Sequence, residues 1–450
     1  MKKMTVLCAA LLLTVSVLGF AGGGRQQAGG SGGKVRVTYS FWGTPDEAAA
    51  VQQVADKFNA QQGRIEVVVV NIPHDTYIEK LNTMATANEL PDAGIMSEAG
   101  VLQFATNGYL ADISGMYGQG ESRPLESIAF KGPDSKTVAY SAANEVLVLY
   151  YNKKMFDAAG VEYPPASADN AWTWDEFVEA AKKLTLDAAG KTPNDPGFNP
   201  NSIRQYGCMV ENLTWQLEVW ALSNGGGFYS ADGKTVTIDQ PAAVEAIQRV
   251  ADLHLVHHVA PLSTGLTDDG IQRSIIAGTV AMATGGTWNV GTCLAQARDS
   301  EGLDYGIAVL PYMKNKVTIC TGGPNVVFSQ SRHPMEAMEW LKWYAQEENN
   351  WGLIETGIWM PTLEKWYTDE ALTRKWVGNP NFPPYNDYKA AVVDYAMKYS
   401  KSTSWYYVNN TVDFNNLLSS LLGEVWTGHR AARDAITARL NALKTAYQGN

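Results

Sequence analysis

Flat aromatic side chains and carboxylates at the ends of apolar runs are the residues of this chain best suited to chemistry. Trp288 follows Gly285, Gly286 and Thr287, three small residues that let the backbone turn sharply and present an indole. Trp42 closes the alternating, strand-like segment that begins at Val35, and Glu98 stands two residues beyond the short apolar run Ala93–Met96. An indole offers an apolar plate, and a carboxylate accepts protons from hydroxyl groups. Together they suit a ring with one apolar face and a hydroxyl rim. The 14 tryptophans, in a chain with only 18% charged residues, make such plates plentiful. The competing role of each tryptophan is core packing, and of each glutamate a helix cap or a surface charge.

Other chemistries find less support. His254 and His258, in the run HLVHH, are four apart and would share a helical face, but no carboxylate or cysteine completes a metal set. No metal and no cofactor is expected. Gly225-Gly226-Gly227 and Gly322-Gly323 lack the Lys-Ser/Thr of a phosphate loop and the spacing of a dinucleotide fingerprint. No Gly-x-Ser-x-Gly elbow occurs, and Cys208, Cys293 and Cys320 have no evident base beside them. With 46 acidic residues, a Glu/Asp pair of the kind that hydrolyses glycosides stays open by count.

The elements that must position these residues alternate from Val35 onward. Strand Val35–Trp42, helix Glu47–Asn59, strand Ile65–Val70, helix Tyr77–Ala87, strand Ala93–Met96 and helix Val101–Gly108 form a β-α-β-α-β run. Such a run predicts an open parallel sheet wound on both faces. Ligands of such sheets sit beyond the carboxyl ends of the strands, where Trp42 and Glu98 fall. Val146–Tyr151 reads as a buried strand. A short helix ends at Gly160, and Thr173 with Glu176 forms a capping box for a helix burying Phe177, Ala180, Ala181 and Leu184. Further on, the pattern predicts a helix over Trp215–Ser223, a strand over Thr235–Ile238 and a long helix opened by Pro241. It continues with a helix, turn and strand over Ile271–Thr287, a strand over Leu303–Leu310, a helix over Pro334–Glu348, and terminal helices over residues 411–449.

The ends and the charge bound the setting. Met1-Lys2-Lys3 and the apolar run Val6–Val17 read as a signal peptide, with a small-x-small site at Gly19-Phe20-Ala21. Residues 1–21 are expected to be cleaved and residues 22–33 to form a flexible leader. Gly22 stands where a lipid-bearing cysteine would, so the expectation is an unlipidated periplasmic or secreted protein. The remaining roughly 420 residues exceed what one core holds, so two lobes are expected. A net charge of −11 disfavours nucleic acid and anionic membranes as partners. Of the 4 cysteines, Cys8 leaves with the signal; the three that remain do not suggest a disulfide framework.

Residues 140–185 carry a resemblance that extends over most of the chain. The strand ending Tyr150-Tyr151-Asn152-Lys153, the Ala-Gly-Val-x-x-Pro-Pro turn at 159–165 and the helix opening Trp174-Asp175-Glu176-Phe177 resemble the sugar-binding proteins of bacterial ABC importers, the maltose-binding-protein group. Further likeness lies in Pro91-Asp92, Gly108 through Asp112, the unit Ala277-Gly278 through Trp288, Tyr305-Gly306 through Pro311, Gly322-Gly323, and Gly357 through Thr362. The resemblance implies a type II periplasmic binding protein, with two doubly wound α/β lobes joined by a hinge. Residues 34–143 plus 323–363 would form one lobe, and residues 144–322 plus 364–450 the other. Chain crossings are expected near residues 143–147, 319–323 and 360–366.

It implies a monomeric receptor that binds a mono- or oligosaccharide between its lobes and delivers it to the permease subunits of an ABC transporter. By position, Glu145 matches a sugar-contacting carboxylate of the group, and Trp288 and Trp215 match its stacking aromatics. Trp359 borders the cleft if the last crossing is nearby. The ligand-binding set is therefore Trp42, Glu98, Glu145, Trp215, Trp288 and Trp359. The sequence departs from the maltose pattern at Met96, where an aromatic stands, and at Ala99 and Gly100, where charged groups stand, so another saccharide is expected. The alternatives are a secreted carbohydrate-active enzyme and a receptor for an anionic solute such as a sugar or glycerol phosphate.

Overall fold

The computed structural model describes residues 33–42, 45–73, 76–210, 213–230, 234–262, 274–357, 359–403, 406 and 411–448. The expected signal peptide and nearly all of the expected leader, residues 231–233 and the first residues of the helix expected from Ile271 lie outside them. The strands run in chain order as β1 (Val35–Trp42), β2 (Ile65–Ile72), β3 (Ala93–Ile95), β4 (Ala129–Lys131), β5 (Thr137–Ser141), β6 (Glu145–Asn152) and β7 (Leu186–Asp187). They continue as β8 (Ile203–Met209), β9 (Val280–Gly286), β10 (Tyr305–Ala308), β11 (Thr318–Thr321), β12 (Pro324–Val327) and β13 (Ser400–Ser402).

These strands build two sheets. One has 6 strands in the order β2-β1-β3-β12-β5-β4; the other has 7, in the order β13-β11-β6-β9-β8-β7 with β10 beside β6. In the first, β1 pairs in parallel with β2 and β3, and the helices α1 (Pro45–Gln61) and α2 (Tyr77–Ala87) provide the crossovers. The β-α-β-α-β run is thus parallel as expected, and strands β12, β5 and β4 then add in antiparallel fashion, which makes the whole sheet mixed. Short segments such as Ala129–Lys131 carry too little pattern to be legible as strands.

In the second sheet β6 explains the double layering. All eight of its residues are buried. Val146, Val148 and Tyr150 enter a core shared with the first sheet, while Leu147, Leu149 and Tyr151 enter a separate one, as the period of two along a strand requires. Helix α5 (Trp174–Leu184) has the expected capping box and buries Phe177, Ala180, Ala181 and Leu184 in that separate core.

Two local expectations are corrected. Residues Thr235–Ile238 make only an isolated antiparallel bridge, Val236 to Tyr229, formed by Thr237 N to the Phe228 carbonyl at 2.7 Å and Ser230 N to the Thr235 carbonyl at 2.9 Å. Helix α7 (Pro241–Leu255) stops before His258, which has a φ of +54°, so His254 and His258 do not share a helical face. Among the described residues no group of His, Cys, Asp or Glu could hold a metal, no helix is long and apolar enough to cross a membrane, and Cys208, Cys293 and Cys320 form no disulfide.

Candidate functional site

Two passes of chain join the sheets and lie side by side. Residues 142–144 lead from β5 to β6, and Gly322 and Gly323 lead from β11 back to β12. Ala142 N donates to the Gly323 carbonyl at 2.9 Å, Ala143 N to that of Gly322 at 3.1 Å, and Asn144 N to that of Met360 at 3.3 Å. Gly322 has a φ of +153°, and a Cβ there would sit 2.1 Å from the Ala143 carbonyl oxygen. Only glycine permits this approach. Side chains add a buried network, in which Cys320 Sγ donates to Asn144 Oδ1, Asn144 Nδ2 to the Tyr367 hydroxyl at 2.6 Å, and that hydroxyl to the Pro361 carbonyl at 2.6 Å.

A cavity of about 530 Å³ opens at this junction, lined by Trp42, Glu98, Glu145, Trp215, Trp288 and Trp359 together with residues of both passes. It thus brings together all six residues singled out from the sequence. Its size lies within the range of small-molecule sites, roughly 300–1,000 Å³. By contrast, an apolar pocket between α7 and Trp426 holds about 30 Å³, and a charged hollow between α5 and α7 about 220 Å³.

Each side chain is placed by a distinct device. Trp42, at the carboxyl end of β1, stands edge-on to Tyr77 with ring centres 5.4 Å apart. Trp359 stands edge-on to Tyr344 at 6.3 Å. From the second sheet, Trp288 follows β9 and lies over Gly286, where a Cβ would fall 1.9 Å from the indole. Trp215, in the first turn of α6 (Thr214–Ser223), faces Trp288 at 6.2 Å with a tilt of 35°. The preceding Thr214 hydroxyl bonds to Asn415 Oδ1 at 2.5 Å, which ties this turn to the helix Thr411–Trp426.

The two carboxylates differ. Glu98 opens helix α3 (Glu98–Thr106), where the helix dipole favours negative charge. Its Oε1 accepts from the Thr321 hydroxyl at 2.5 Å and from Gly322 N at 2.9 Å, so it reaches from the first sheet to the end of β11. Glu145 is the ladder partner of Thr321 and is only 9% exposed. Its carboxyl accepts no hydrogen bond from the described residues. Burial, and then the nearby charge of Glu98, push its pKa well above the ordinary carboxylate value. Ala143, Thr321, Gly322 and Gly323 also line the cavity. Gly322 and Gly323 fall in the crossing expected near residues 319–323, but none of these four is among the residues expected in the site. A β-branched residue before two glycines at a strand end was the available signal.

With two sheets, a cavity at their junction and passes beside it, the comparison with known proteins is direct. The chain belongs to the bacterial extracellular solute-binding protein family, whose profile matches residues 42–351. Its fold is that of a type II periplasmic binding protein. A substrate-binding protein of Listeria monocytogenes, solved with cycloalternan, superposes with a TM-score of 0.72 at 23% identity, covering 93% of this chain and 100% of that one. The cyclic alpha-maltosyl-1,6-maltose binding protein of Arthrobacter globiformis also gives 0.72, at 22% identity over 93% of this chain and all of its own. In sequence, a binding protein of Brucella abortus is 24% identical over 346 residues, 76% of this chain and 77% of its own length. The sn-glycerol-3-phosphate-binding periplasmic protein of the same organism is 27% identical over 275 residues, 58% of each chain.

Proposed function

We propose that this protein is the extracytoplasmic receptor of an ABC importer, closing two lobes on a mono- or oligosaccharide and handing it to the membrane permease. The observation that carries this reading is the composition of the cavity: four indoles and two carboxylates contributed from the sides of both sheets, at the passes between them. The indoles would stack on the apolar faces of sugar rings while Glu145 and the free oxygen of Glu98 accept hydroxyl protons. Contacts from both sides favour a closed arrangement over an open one, and such closure is a hinge motion. The lobes are residues 34–143 plus 323–363 and residues 144–322 plus 364–450. The working form is a monomer without catalytic activity and without nucleic-acid partners, exported by a cleaved signal peptide to the periplasm or beyond.

A second reading, a receptor for an anionic solute, takes its support from the glycerol-phosphate-binding relatives. Against it stands a cavity with two glutamates and no lysine, arginine or histidine among its described lining residues. A melting-temperature screen against neutral and amino saccharides and sn-glycerol 3-phosphate tests the choice. A ligand at a hundred times its dissociation constant adds about 2.7 kcal/mol of stability. Stabilisation by a saccharide, with no new reducing ends after long incubation, is the expected result. Stabilisation by glycerol phosphate alone would transfer the reading to the anionic class, and turnover would make the protein an enzyme.

A further inference from the structure

The charges of the cavity do not balance. Glu145 is nine-tenths buried, faces the cavity and receives no hydrogen bond from the described residues. Glu98 is brought close to it through Thr321, which bonds to Glu98 and pairs with Glu145 in the β6–β11 ladder. Only one of the Glu98 oxygens takes part in those protein hydrogen bonds. Buried carboxylates in proteins are ordinarily paired with a cation or a set of donors. Here no described lining residue is basic, and the walls include four indoles, whose faces attract cations.

From this geometry we infer that the ligand is a saccharide bearing a protonated amine, its ammonium group held between Glu145 and Glu98 and its ring against Trp288. The inference rests on the receptor reading above and narrows it. Hydroxyl groups of a neutral sugar can donate to both carboxylates but bring no positive charge to them. An ammonium group has three donors and a charge, and supplies both things that the site lacks. It also opposes the two influences, burial and the neighbouring Glu98, that raise the Glu145 pKa.

Calorimetric titration of the purified protein with matched pairs tests this: glucosamine and its β-1,4-linked dimer against glucose and cellobiose, galactosamine against galactose, and the N-acetylated forms of each. The expected result is binding at least tenfold tighter for the amine of a matched pair. N-acetylation should remove that advantage and added salt should shrink it. Glu145→Gln, and separately Glu98→Gln, should collapse the ratio between amine and neutral partner, with a thermal melt confirming that each variant is folded. Neutral sugars that bind as tightly as their amino counterparts would overturn the inference while leaving the receptor reading in place. If no saccharide of either kind binds, both fall.

Discussion

On the first sheet's side of the cavity, Trp42 and Trp359 each stand edge-on to a tyrosine of the core, and Glu98 accepts two hydrogen bonds from the chain pass. On the second sheet's side, Trp215 and Trp288 face each other, and Glu145 meets no donor among the described residues. The same residue types therefore do different jobs. On one side protein contacts already fix the polar group, which makes that wall a structural reference at the junction. On the other the polar group is desolvated with nothing to compensate it, and that deficit is what a ligand can relieve. Glu347 sharpens the contrast. It too is buried, but its Oε1 accepts from Thr362 N at 3.1 Å and Leu363 N at 3.0 Å, so it holds a turn rather than awaiting a ligand.

The largest effect is expected where the two sides join. In Gly322→Ala the new Cβ would overlap the Ala143 carbonyl, 2.1 Å away, at a φ of +153°. Separating the passes should cost about 4 kcal/mol, the upper end for single substitutions. Denaturant unfolding checks this, and an unchanged midpoint would show that the passes do not need their close approach.

Next is the pH dependence set by Glu347, whose pKa burial raises from 4.5 to about 7. Unfolded, the group ionises at its ordinary value, so between those two pKa values the folded state binds more protons. Its contribution is therefore full below about pH 4.5 and declines as the pH rises through 7, by about 3 kcal/mol in all. Melting curves from pH 5 to 8 should fall with pH in the native protein, and more shallowly in Glu347→Gln. Equal slopes would mean that Glu347 is ionised in the fold.

The legibility of this molecule follows the same division between pattern and long-range pairing. Strands β2, β3, β6 and β9 are legible because their apolar runs are nearly continuous, β1 because apolar and polar residues alternate along VRVTYSFW, and the capping box at Thr173 because its chemistry is local. Strand β8 is not: IRQYGCM contains Arg204, Gln205 and Gly207, and its place is fixed by pairing with β9 and by α5 pressing on Gly207, where a Cβ would lie 1.9 Å from the Ala181 carbonyl. Of the six candidate residues, Trp42, Glu98 and Trp288 could be placed at or just beyond strand ends, Glu145 and Trp215 only through the family resemblance, and Trp359 only through the expected last crossing. What no local pattern carries is that Glu98 turns towards the second sheet while Glu145 keeps its carboxyl unpaired. That difference arises only when residues some two hundred positions apart meet, as Glu98 meets Thr321.

Third in size is Trp288→Ala. If the indole stacks on a sugar ring, removing it should cost about 2 kcal/mol of binding, the scale of a buried aromatic anchor, or roughly thirtyfold in affinity. The indole is partly exposed at the cavity and rests on a glycine, so its contribution to the core is small compared with that of Trp340 or Trp366, both at 0% exposure. Titration beside a thermal melt separates the two roles. A strongly lowered melting temperature with unchanged affinity would return Trp288 to the core.

The smallest effect is expected of Glu98→Gln. The amide oxygen can still accept from the Thr321 hydroxyl and from Gly322 N, so both hydrogen bonds survive in form. What is lost is their charge assistance and the favourable charge in the first turn of α3, together about 1 kcal/mol. The consequence for Glu145 is the more telling one. Burial is the larger cause of its raised pKa and the charge of Glu98 the smaller, so removing that charge should lower the Glu145 pKa without restoring it to the ordinary carboxylate value. A carbon-detected NMR titration of the side-chain carboxyl, with Glu145→Gln supplying the assignment, measures this. Glu98→Ala serves as the harsher control, because it leaves the Gly322 amide without its acceptor and should cost about 2 kcal/mol. An identical Glu145 titration in native protein and Glu98→Gln would mean that the two carboxylates do not sense each other. The cavity would then hold two independent acceptors rather than one anionic pair.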